Sequence, residues 1–143
     1  MALARPHLIA LSTLLLGCAS PTDSTILARI VIGTIDAGGT LDRVIDAPDT
    51  VLVGHVATFT VFTFGNSCIE PAGTEVTVQG TEAMVTPFDQ ESLYVPCRDI
   101  LNSYTHTARV VFAQTGPATI RVRGRSYYQP GLLTAEHHLV VVP

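Results

Sequence analysis

Four histidines, His55, His106, His137 and His138, are the residues of this chain best equipped for chemistry. Neutral imidazole is a common ligand for transition metals, so three converging rings would make a metal or small-ligand carrier. His137 and His138 are adjacent, and neighbours on a strand point to opposite faces, so those two would not grip one ion together. Ordinary surface or core-edge histidines are the plainer expectation, and no metal site is assigned. Asp36, Asp42, Asp46 and Asp49 cluster near the start of the chain, yet their spacing fits no calcium loop. Solvated turn aspartates account for them. Arg121, Arg123 and Arg125 alternate along one segment, and the first two should share a strand face. Such a row could hold an anionic glycan or a phosphate. It could equally pair with acids on neighbouring strands, such as Glu75 or Glu136.

Catalysis needs a nucleophile, a base and an orienting group. Ser67 lies in Gly65-Asn66-Ser67-Cys68, which is not a Gly-x-Ser-x-Gly elbow. No glycine-rich phosphate loop and no His-Glu-x-x-His occurs. No catalytic residue is assigned, no cofactor is expected, and the chain is expected not to be an enzyme. The longest stretch without strand patterning, residues 87–103, is a better place to look for function, because long loops in compact domains are usually functional or tied down. Phe88, Tyr94 and Arg98 are its candidate partner-binding residues, since aromatic and arginine side chains anchor interfaces. A protruding loop of this kind would also suit a hydrolase inhibitor.

Residues 1–17 carry Arg5, then a short apolar run from Leu8 to Leu16, then Gly17, and Cys18 follows. A basic start, an apolar stretch and a small residue are the parts of a secretory signal, and the run is too short to span a bilayer. Leu15-Leu16-Gly17-Cys18 resembles a bacterial lipoprotein lipobox. The resemblance implies cleavage before Cys18 and lipid on its sulfur and amino groups. Several acyl chains anchor a protein stably where one does not. Ala19 follows, where an aspartate would signal inner-membrane retention in such lipoproteins, so the resemblance points to the outer membrane. Residues 18–25 would then be a lipidated tether and residues 26–143 the folded domain. With Cys18 taken by lipid, Cys68 and Cys97 remain in an oxidising compartment, where a disulfide is expected. Two free thiols or two metal ligands are the alternatives.

All eight basic residues are arginine, and the formal charge is −4, which argues against a nucleic-acid footprint. The expected partners are the membrane, through Cys18, and an envelope protein or glycan. Valine, isoleucine and threonine are abundant, and helix-forming runs are missing. Alternating segments recur at residues 27–35, 40–46, 51–53, 55–64, 74–79, 82–86, 104–112, 118–123 and 134–142, with turn residues between them. Phe59, Val61, Val110, Phe112, Ile120 and Val122 fall on apolar faces and should form the core. About seven to eight short strands suit an antiparallel sandwich, with a partly closed barrel as the alternative. Ala47-Pro48-Asp49-Thr50-Val51-Leu52-Val53-Gly54, then Phe59-Thr60-Val61, and later Gly116-Pro117-Ala118-Thr119-Ile120-Arg121-Val122-Arg123-Gly124 resemble bacterial immunoglobulin-like domains. That resemblance implies an immunoglobulin-like β-sandwich.

Overall fold

A computed structural model describes residues 27–93 and 96–143. It is a two-sheet, all-β fold. The larger sheet is organised around β7 (Glu82–Ser92) and β9 (Gly116–Ser126). Along one side of β7 runs β6 (Ile69–Gln79), antiparallel, closing a hairpin at Gly80. Gly80 has φ of 61°, the left-handed conformation a tight turn demands. The other side of β7 is shared. β1 (Ala28–Ile32) pairs antiparallel with its second half, and β9 pairs parallel with Glu82 to Val85. Beyond β9 come β10 (Leu132–Val142), antiparallel, and β4 (Thr50–Leu52), parallel to β10 at the sheet edge. β2 (Thr34–Asp36) adds a short parallel ladder to the far end of β9. The smaller sheet consists of β3 (Ile45–Asp46), β5 (Ala57–Gly65) and β8 (Asn102–Val110), all antiparallel.

The two sheets close on one core. Phe59 and Val61 of β5 and Ala108 and Val110 of β8 meet Ala83, Val85, Ile120, Val122, Leu139 and Val141 of the larger sheet. The six core residues expected from alternation, Phe112 included, are all at most 1% exposed. Alternation works here because these core strands have one face against the opposite sheet and the other turned away from it.

Four expectations need correction. The residue 40–46 segment is not one strand: Leu41–Arg43 forms a 3-10 turn, and only Ile45–Asp46 pairs. The first strand is divided at Gly33, where the chain leaves β7 for β9: the Gly33 amide donates to Pro87 O at 2.9 Å and its carbonyl accepts from Arg125 N at 2.9 Å. The described residues form ten strands rather than seven or eight, and three of their pairings are parallel rather than antiparallel. Residues 87–92 are strand, not loop, because β1 and β6 both supply partners for them. Finally, on β6, Val76 is half-buried and packs against the core, whereas Val78 is not a core position. β6 is an edge arm with Val78 38% exposed, and its register slips between Pro71 and Gly73, where proline is tolerated at an edge. Among the described residues no helix is long and apolar enough to cross a membrane.

Candidate functional site

Cys68 and Cys97 form a disulfide, with Cα atoms 5.5 Å apart. The expectation from cysteine pairing is met, and the bond has a positional consequence. It ties the turn after β5 to the segment that leads into β8. Two hydrogen bonds reinforce the tie: Arg98 N donates to Ser67 Oγ at 2.7 Å and Ser67 N to Arg98 O at 3.3 Å. The Cys68 amide donates to Asn66 Oδ1 at 2.9 Å, and Tyr104 Oη donates to Asn66 O at 2.6 Å, so the turn itself is held firmly.

That staple fixes one wall of a cleft at this end of the sandwich. Ile100 and Leu101 stand on it, 51% and 60% exposed. The opposite wall is Tyr127 and Tyr128, in the connection between β9 and β10, 62% and 67% exposed. The two rings meet edge to face, centroids 5.3 Å apart and planes at 72°. Tyr128 is braced: its hydroxyl donates to Ala37 O at 3.4 Å, and its amide donates to Ser126 Oγ at 3.2 Å. Asn66, Gly65, Ala37 and Asp99 complete the lining of about 190 Å³. Asp99 makes no side-chain hydrogen bond or ion pair among the described residues. Exposed apolar side chains scattered singly are ordinary, but four gathered round an open concavity with a free carboxylate are not.

A second cavity of about 220 Å³ adjoins the first, sharing Gly65, Asn66 and Tyr127. Its further lining includes Thr34, Asp89, Glu91, Arg125 and Ser126. The acids in it are engaged. Glu91 Oε2 accepts from Arg29 Nη2 at 2.6 Å and Nε at 2.7 Å. Asp89 belongs to a sealed trio: His106 Nε2 lies 3.0 Å from its Oδ1, and Thr63 Oγ1 donates to the same oxygen at 3.2 Å. Thr63 Oγ1 also lies 3.0 Å from His106 Nε2, and His106 Nδ1 lies 3.2 Å from Gly73 O. Both ring nitrogens therefore lie within hydrogen-bonding distance of oxygen atoms.

Thr63, His106 and Asp89 are the residue types of a hydrolase relay, but their wiring is different. Hydroxyl and carboxylate share one ring nitrogen, whereas a relay puts them on opposite nitrogens. Thr63 is 0% exposed, so no substrate reaches it. The trio is a polar bridge between β5, β7 and β8.

The residues singled out from sequence are scattered. His55 sits exposed in the turn before β5, with Nδ1 3.1 Å from Val53 O. His137 is half-buried on β10, and His138 is exposed, with Nδ1 3.1 Å from Thr119 Oγ1. Among the described residues no three histidines, cysteines or acids come close enough to hold a metal. Arg121 takes the plain alternative: Nε donates to Glu136 at 2.9 Å and Nη1 to Glu82 at 3.2 Å. Phe88 is half-buried within β7, on the opposite face from Asp89, and Arg98 is exposed beside the disulfide. Cys18 and Tyr94 lie outside the described residues. Tyr127, Tyr128, Ile100 and Leu101 were not candidates from sequence. The signal was there in two consecutive tyrosines within a turn, where nothing in a core calls for them.

No family model, curated protein or solved structure matches this chain.

Proposed function

We propose that this chain is a lipid-anchored, non-catalytic recognition protein of a bacterial envelope, whose immunoglobulin-like sandwich binds glycans in the cleft between Tyr127–Tyr128 and Ile100–Leu101. The lipobox-like run ending at Cys18 supports the anchor, and paired cysteines suit an exported domain. The observation that carries the binding role is the cleft. Exposed tyrosine rings offer faces on which the C–H side of a pyranose can pack, together with hydroxyls that hydrogen-bond. The free Asp99 carboxylate can accept bonds from sugar hydroxyls, and charged acceptors make the stronger ones. A lining of about 190 Å³ is below the roughly 300 Å³ at which drug-sized pockets begin, which suits a cleft that takes one sugar ring of a longer chain. A glycan fits these features better than a globular protein, which would need a broad apolar centre.

A panel of immobilised oligosaccharides, neutral and acidic, tests this with the wild-type protein and with the Tyr127→Ala/Tyr128→Ala variant. Wild type should retain at least one member, and the variant should lose it while its thermal melt stays close to wild type. Binding that survives removal of both rings would contradict the proposal, as would a wild type that retains nothing.

A further inference from the structure

Arg125 stands apart from the other charged groups of the second cavity. Its backbone amide is spent on Gly33 O, at 2.9 Å, where β2 joins β9. Its side chain lines the second cavity, half-buried, and forms no ion pair and no hydrogen bond among the described residues. Its Nε is shut off from solvent and meets no acceptor. A guanidinium is always charged, and a shielded donor without a partner is costly. Neither acid of the same cavity pairs with it. Glu91 is held by Arg29, and Asp89 is held by His106 and Thr63. Among the charged side chains lining this cavity, Arg125 is the one without a partner among the described residues.

The position matters as much as the charge. Arg125 is two residues before Tyr127, and the two cavities share Tyr127, Asn66 and Gly65 as a common wall. Thr34 and Ser126, with their hydroxyls, line the arginine's side. A ring lying on the tyrosines therefore has a cation within reach of a substituent at its edge. The guanidinium fork matches a planar carboxylate with two parallel hydrogen bonds.

We infer that Arg125 selects a carboxylate-bearing sugar: a uronic acid, or another acidic sugar, whose ring packs on Tyr127 and whose carboxylate enters the second cavity. This rests on the glycan-binding role proposed above and specifies its ligand class. Arg123, exposed on the same strand and lining neither cavity, takes no part.

The test uses oligomers of glucuronic and galacturonic acid and the same oligomers after reduction of each carboxyl to a primary alcohol. The disulfide-intact protein should bind the acidic oligomers about tenfold or more tightly than the reduced ones, as charge-assisted bonds exceed neutral ones. Arg125→Gln should bring acidic oligomers down to the level of the reduced ones. Arg123→Gln should leave the preference unchanged. Equal binding of acidic and reduced oligomers by wild type would overturn the inference and leave the glycan cleft standing. A preference that persists in Arg125→Gln, or follows Arg123 instead, would overturn it as well. Wild type that binds neither form refutes the inference, and its behaviour on the neutral members of the wider panel then decides separately whether the cleft binds sugar at all.

Discussion

Removing the Asp89 carboxylate is the sharpest test of how this sandwich holds a polar trio inside an apolar core. Asp89 and His106 are each 1% exposed at the side chain, so water does not screen their attraction and cannot replace it. In Asp89→Ala, the His106 Nε2 proton and the Thr63 hydroxyl both lose their acceptor. Each orphaned buried donor costs about 1–3 kcal/mol, so stranding two costs about 2–6 kcal/mol. That is a large part of the roughly 5–15 kcal/mol available to a domain. His106→Ala should cost a similar amount, because it strands the carboxylate. The double variant should cost about 2–3 kcal/mol less than the sum, since neither buried partner is then left alone. Urea unfolding of the four proteins, disulfide intact, gives the cycle by linear extrapolation. Single variants that each lose under about 1 kcal/mol and add within about 0.5 kcal/mol would refute the buried, coupled pair.

Three further outcomes follow from the packing. Phe59→Ala should lower stability by about 3–5 kcal/mol in the same urea assay, because the ring is 1% exposed between the sheets. Gly33→Ala should destabilise by about 1–3 kcal/mol, measured the same way, since its new methyl runs into the Thr63 side chain and lies 3.0 Å from Asp89 Oδ2. Replacing both Cys68 and Cys97 by alanine frees a loop of 29 residues, worth about 3–4 kcal/mol in the chain-entropy model. Calorimetry should show that loss, and oligosaccharide binding should weaken too, because Ile100 and Leu101 lose their mooring.

The core was legible because strand alternation is a local signal with a sharp consequence. Phe59-x-Val61, Ala108-x-Val110 and Ile120-x-Val122 each declare a buried face without reference to any other segment. Thr63 and His106 continue two of those faces inward, so a polar bridge was foreshadowed by position alone, whereas their meeting with Asp89 depends on which strands the sheets bring together. Strand partners were not legible. Gly33 switches the first strand from β7 to β9 for reasons of close approach, and the parallel pairing of β7 with β9 is a long-range outcome with no local mark. The cleft was missed for the same reason. Asn66, Leu101 and Tyr127 belong to three separate turns, and only the fold and the disulfide make them neighbours.

The most direct measurement is a nuclear magnetic resonance titration of the labelled protein with whichever oligosaccharide it binds best. Glycan recognition by this end of the sandwich predicts shifts concentrated at Asn66, Asp99, Ile100, Leu101, Tyr127 and Tyr128, with β4 and the exposed face of β6 unmoved. Shifts centred instead on β4, β6 or the outer face of β10, with both tyrosines silent, would contradict it.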